Sequence, residues 1–156
     1  MDDNSELFKK ALKFVLKWEG GYVNDPDDKG GATNKGITQG TYNGWLKSKG
    51  LNPRDVKNIT DVEVAQIYYQ NYWCKANCNN MSKVFAVLAF DTAVNMGVSR
   101  VSQFLKVAQY KDPDKFLFAR VSKYREFAKV PSQAKFLKGW LNRTTALEKF
   151  IKTLWK

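Results

Sequence analysis

Between Ser82 and Gly97 the chain runs Lys-Val-Phe-Ala-Val-Leu-Ala-Phe-Asp-Thr-Ala-Val-Asn-Met, and from Val84 onward almost every position is apolar. A helix that is apolar all round must be covered on every side. Ser82 is placed to cap it. The rest of the chain therefore has to supply the cover, which predicts one buried central helix wrapped by amphipathic ones. With 156 residues, 44% of them hydrophobic and 14% aromatic, there is enough material for one such core. A single domain over residues 1–156 is expected.

Amphipathic helices are written on both sides of that stretch. Leu7, Phe8, Ala11, Leu12, Val15 and Trp18 recur at helical spacing, with Asp3 and Glu6 able to form a capping box and Gly20-Gly21 able to end the helix. Thr38 or Thr41 can start a helix through Tyr42, Trp45 and Leu46, closed by Gly50. Thr60 and Glu63 form a capping box ahead of Ala65, Ile67, Tyr68 and Tyr72. Ser99 is expected to start a short helix. Asp112-Pro113 supplies an N-cap and a proline at the first helical position, and Ser132 after Pro131 is expected to open a C-terminal helical region. Residues 20–38 are rich in Gly, Asp and Asn and read as a small irregular hairpin. The predicted fold is α+β and mainly α-helical, with six to eight helices and a small N-terminal β-hairpin lobe.

Lys and Arg number 26 against 15 Asp and Glu, a formal charge of +11. Such an excess implies a polyanionic partner: nucleic acid, anionic lipid, or a cell wall bearing carboxylates and phosphates. The absence of histidine removes Ser-His-Asp and Cys-His catalysis and the usual zinc and iron ligand sets. No metal or other cofactor is expected, so acid–base work near neutral pH falls to carboxylates, Lys or Tyr. Cys74 and Cys78 could close a small loop, but reduced thiols are expected. The first apolar stretch, Ala11 to Trp18, is broken by lysines and followed by no small-residue cleavage site. Synthesis in the cytosol without a signal peptide is expected, with export or release by another component.

One segment, Trp18 to Thr38, combines turn formers with ionisable groups. Glu19 falls at the C-terminal end of the first helix, where the partial negative charge of the helix disfavours a carboxylate. Trp18 and Tyr22 offer low-dielectric neighbours that act in the same sense. A carboxyl group that keeps its proton suits a general acid. Asp25, Asp27 and Asp28 offer a second carboxylate, and glycoside hydrolysis uses such a pair. The same Asp-Pro-Asp-Asp run is also an ordinary turn sequence. Thr33 and Thr38 could hold a water or simply cap local backbone. On the central helix, Asp91 and Asn95 share one face, and buried polar groups need partners or a cleft. Trp140, Asn142 and Arg143 either close the fold or touch substrate, closure being favoured.

Glu19-Gly-Gly-Tyr-Val-Asn-Asp-Pro-Asp-Asp, with the following Gly-Gly-Ala-Thr-Asn and Gly-Ile-Thr38, resembles the N-terminal signature of glycoside hydrolase family 108. Tyr68 to Trp73, Phe90 to Gly97 and Gly139 to Arg143 extend the resemblance over residues 10–147. It implies a lysozyme-like fold and N-acetylmuramidase activity, as in phage endolysins and secretion-activator proteins. It implies Glu19 as catalytic acid. Family 24 phage lysozymes, more distant, carry a Glu–Asp–Thr arrangement at the same junction. Its best match here is Glu19, Asp28 and Thr33, with Asp25 or Asp27 as alternatives to Asp28. The chain departs from the family where residues 106–116 are short, and at Lys35, where an aromatic residue is expected.

The expected protein is a peptidoglycan hydrolase that cleaves the β-1,4 bond after N-acetylmuramic acid in a groove beside the hairpin. Glu19, Asp28 and Thr33 are the catalytic candidates, and Tyr22, Asn24 and Asn95 the substrate-binding ones. Peptidoglycan is the expected partner, with a holin or holin-like protein for release into the periplasm. No nucleic-acid partner and no transmembrane segment are expected, and the chain is expected to be a monomer. The alternatives are a lytic transglycosylase on the same substrate, or a non-catalytic basic protein binding cell wall or nucleic acid. Cationic helices carrying Lys135, Lys138, Arg143, Lys149, Lys152 and Lys156 could also disturb outer membranes.

Overall fold

Helix α1, Glu6–Glu19, opens the described chain, its first turn capped by Ser5, whose hydroxyl accepts from the Phe8 amide. The structure, a computed structural model, describes residues 5–27 and 30–155. The expected capping residue Asp3 lies outside the described residues, and the cap observed is Ser5. Phe8, Ala11, Leu12 and Val15 form the buried stripe of α1. Burying one such large apolar side chain is worth about 1.5–3 kcal/mol.

The chain divides into two compact units, Met1–Asn71 and Tyr72–Lys156. In the first, α1 leads into a minimal hairpin of β1, Thr33–Asn34, and β2, Ile37–Thr38. The strands are antiparallel, Thr33 opposite Thr38 and Asn34 opposite Ile37, and Val23 bridges to Thr33. Helix α2, Gln39–Ser48, starts at Thr38, whose hydroxyl accepts from the Thr41 amide and donates to the Thr41 hydroxyl. Thr38 is thus the cap and Thr41 its partner. Gly50 ends this helix in the left-handed region at φ +71°. A 3₁₀ turn, Val56–Asn58, precedes α3, Asp61–Tyr68, where the Thr60–Glu63 capping box forms as the sequence predicts.

A π-helical turn, Tyr69–Cys74, continues from α3. In the second unit a 3₁₀ turn, Cys78–Asn80, precedes α4, Lys83–Met96, capped by Ser82. Every residue from Phe85 to Ala93 is buried, so the expectation of a buried helix here holds. Helices α5, Val98–Val107, α6, Pro113–Phe127, and α7, Leu137–Lys152, surround it. Asp112 caps α6, accepting from the Asp114 and Lys115 amides. Two expected starts differ. Helix α5 begins at Val98, not Ser99, because Gly97 at φ +95° makes the corner that ends α4 and begins α5 with no side-chain cap. Helix α7 begins at Leu137, after a 3₁₀ turn at Ala134–Phe136, so Ser132 does not cap it.

The thiols of Cys74 and Cys78 are both free. Cys78 is buried, and that burial, with Cys74 nearby, pushes its thiol up to about 12. Among the described residues no helix is long and apolar enough to cross a membrane. The architecture is the α+β, mainly helical class that the sequence predicts, with a two-stranded sheet and a buried helix α4.

Candidate active site

Glu19 is the last residue of α1, and Gly20 turns the chain away at φ +76°. The Glu19 side chain is half-buried against the turn of the hairpin. That turn has two residues, Lys35 at φ +52° and Gly36 at φ +77°. Two consecutive left-handed residues make the turn that suits the twist of paired strands. A side chain on Gly36 would have no room. Its Cβ would stand 2.5 Å from Tyr68 Oη, 2.9 Å from Glu19 Oε2 and 3.1 Å from Glu19 Cβ. The Glu19 carboxyl and the Tyr68 hydroxyl therefore both close on the bare face of this glycine.

Three tethers hold the hairpin in place. Tyr68, at the end of α3 and 1% exposed, donates its hydroxyl to the Lys35 carbonyl at 2.6 Å. The buried Asn34 amide donates to the carbonyls of Val56 at 3.1 Å and Lys57 at 3.3 Å. The Lys35 ammonium pairs with Asp61 at the start of α3. That hydrogen bond and charge hold the Asp61 carboxyl below its ordinary range. At Lys35, where the family pattern suggests an aromatic residue, the side chain serves this ion pair.

Helix α3 is itself fixed by a buried carboxylate. Glu63 accepts from the Tyr42 hydroxyl at 3.0 Å, from Arg54 at 2.5 Å, and from the Thr60 amide and hydroxyl at 3.1 and 3.0 Å. Burial opposes its ionisation, but these donors and the Arg54 charge outweigh it and hold the carboxyl below its ordinary value. Burial and the adjacent Glu63 push the Tyr42 hydroxyl up.

The other sequence candidates of the first unit are held by local pairings. Tyr22 and Asn24 flank Val23, which exchanges two backbone hydrogen bonds with Thr33, both 2.8 Å, so these three candidates are carried by one strand pairing. Tyr22 is 38% exposed, and the Lys57 ammonium stands 5.7 Å from its ring centre. Asp28 lies outside the described residues. Asp25 and Asp27 are exposed, and the Asp25 carboxylate accepts from the Asp27 amide at 2.9 Å, a local Asx turn.

In the second unit Asp91 is wholly buried and held by two arginines. Arg120 approaches at 2.7 Å and Arg143 at 2.9 Å. Arg120 also donates to the hydroxyls of Thr92 and Tyr124. Tyr124 in turn donates to the Asn95 side-chain carbonyl and stacks on Trp140 with ring centres 5.0 Å apart. Asn95 thus belongs to an internal network on its own helix face, and Arg143 closes the fold. Arg143 is 4% exposed, which removes it from the cationic surface expected from the sequence. Trp73, at the end of one of the segments that carry the family resemblance, is fully buried against Phe90.

Sequence reasoning missed Tyr68 and Gly36 as neighbours of Glu19. A glycine as the second of two residues between Thr33-Asn34 and Ile37-Thr38 is the signal for the turn. No local pattern announces that Tyr68, 33 residues beyond Lys35, will bond to it.

The family model described as glycosyl hydrolase 108 matches residues 12–97, more than half of the chain. A solved structure, that of SagA from Brucella abortus, is similar at 26% identity and a TM-score of 0.73, covering 94% of this chain and 94% of that one. No curated protein matches.

Proposed function

Because the chain belongs to glycosyl hydrolase family 108 and is accordingly a glycoside hydrolase of the lysozyme-like, peptidoglycan-cleaving kind, we propose that Glu19 is its general acid. In this reading the whole chain acts as one N-acetylmuramidase, cutting the β-1,4 bond between N-acetylmuramic acid and N-acetylglucosamine. The supporting observation is the seat of Glu19. Its carboxyl stands at a helix C-terminus, half-buried, against a turn stripped of side chain at Gly36. A proton donor must be fixed in position and still reachable by the bridging oxygen. Asp91, by contrast, is saturated by arginines in the interior.

Asp28 stabilises the oxocarbenium-like transition state or positions water, with Thr33 assisting. Tyr22 and Asn24 contact the sugar. The chain works as a monomer and reaches the wall after holin-type release. Cytosolic expression should then lyse cells only once the inner membrane is permeabilised, and lysis without permeabilisation would remove that part.

The decisive measurement is turnover of purified cell walls by Glu19→Gln. Loss of a general acid costs about 10²–10⁴-fold. A folded Glu19→Gln protein with wild-type turnover ends the assignment. Mass spectrometry of the products separates two chemistries: reducing ends mean hydrolysis, and anhydro-muramyl ends mean a lytic transglycosylase. The second reading needs only one carboxyl group. It draws on the engagement of Asp25 in its own turn.

A further inference from the structure

Of the tethers on the turn against Glu19, the Tyr68 hydroxyl is the one that grips its backbone at Lys35. Tyr68 is buried, and its donation to the Lys35 carbonyl at 2.6 Å fixes the peptide that precedes Gly36. Tyr68 has little freedom of its own. It ends a helix whose start is locked by the Thr60–Glu63 capping box and by Tyr42 and Arg54 on the Glu63 carboxylate. A continuous chain of contacts thus runs from α2 through Glu63 and α3 to Tyr68, the Lys35 carbonyl and Gly36.

Glycine at position 36 meets two separate demands. Its φ of +77° is one that side-chain-bearing residues rarely adopt. Gly50 shares that demand at φ +71°, yet a Cβ there would meet nothing within 4 Å. At Gly36 the same Cβ would strike the Tyr68 hydroxyl and the Glu19 carboxyl. The comparison separates backbone conformation from space, and of these two glycines only Gly36 is constrained by space.

We propose that Tyr68 and Gly36 are positioning residues for Glu19. The tyrosine hydroxyl pins the turn, and the missing side chain at Gly36 leaves the volume in which the Glu19 carboxyl rests. The inference builds on Glu19 as the general acid. It predicts that disturbing the turn reduces turnover and not substrate affinity, because the carboxyl is displaced from the bridging oxygen while the sugar contacts remain. A displacement of about 1 Å at a reacting group costs about 10²-fold in rate.

Steady-state turnover of solubilised wall fragments by Tyr68→Phe, Gly36→Ala, Gly50→Ala, the Tyr68→Phe/Gly36→Ala pair and Glu19→Gln tests it, with folded fraction checked by thermal melting. Tyr68→Phe should lower kcat about tenfold with KM within about twofold, and Gly36→Ala should lower kcat about 10²-fold. Gly50→Ala should turn over like the wild type, since it carries the same backbone strain without the collision. Introducing Gly36→Ala into the Tyr68→Phe variant should cost less than introducing it into the wild type, because the oxygen nearest the new Cβ is gone. Tyr68→Phe with wild-type kcat overturns the proposal, as does equal loss in Gly36→Ala and Gly50→Ala. If Gly36→Ala fails to fold, the kcat–KM split of Tyr68→Phe decides alone. Full activity in Glu19→Gln would instead remove the acid assignment, whereas an inactive Glu19→Gln beside fully active Tyr68→Phe removes only the positioning role.

Discussion

Asp91 in the second unit and Glu19 in the first are carboxylates in opposite surroundings. Asp91, in the second unit, is 0% exposed and receives two guanidinium groups, so each oxygen is taken by a fixed cation. Glu19, in the first unit, lies half-buried against the bare face of Gly36. A carboxylate sealed in with two arginines organises helices, since removing it leaves two buried guanidinium charges without their counter-ion. A carboxyl that must pass a proton to a substrate needs a rigid seat and an open side. If Glu19 is the general acid as proposed, environment and not residue type divides structural from chemical acids in this chain.

Substitutions can break or sharpen that contrast. The largest effect on activity is expected from Glu19→Gln, a loss of about 10²–10⁴-fold in wall turnover, with a melting temperature close to wild type. Asp91→Asn should do the reverse. It leaves Arg120 and Arg143 facing a neutral amide in the interior, at a cost of about 3–5 kcal/mol. Urea unfolding should reveal this as a large fall in midpoint, and an unchanged midpoint would refute the role assigned to the cluster. Residual activity should follow the folded fraction.

Glu63→Gln is expected to be intermediate, because it removes the charge that Arg54 and Tyr42 meet, at a cost of about 1–3 kcal/mol. Its pH signature follows from its lowered carboxyl. The folded-state value lies below the ordinary 4.5, so the contribution of the ionised form is full above that pH and disappears as pH falls through the lowered folded value. Stability curves of wild type and Glu63→Gln should converge on acidification. Parallel curves would show that Glu63 does not carry the acid dependence. Asp61→Asn should have the smallest effect, since the carboxylate that pairs with Lys35 is 91% exposed. Melting at low and physiological salt should find any difference only at low salt.

Much of this was legible in the chain. The buried helix over Lys83–Met96, the Thr60–Glu63 capping box and the Asp112-Pro113 start follow from local pattern and recur in the structure. The misjudged boundaries have a common cause. Ser99 and Ser132 are good caps in isolation, but Gly97 at φ +95° and the 3₁₀ turn Ala134–Phe136 set those corners through backbone geometry. The face shared by Asp91 and Asn95 was visible from their spacing. Their partners were not, since Arg120 and Arg143 approach from α6 and α7.

The sequence by itself determined the family, the helical periodicities and the placing of Glu19 at the end of α1, because these depend on residues close together along the chain. Only the tertiary structure decided that Tyr68 grips the Lys35 carbonyl, that Gly36 yields its side-chain space to Glu19, and that Arg143 faces inward. Those contacts join residues 17 to 52 positions apart. Chain packing, which no local propensity encodes, brings them within reach.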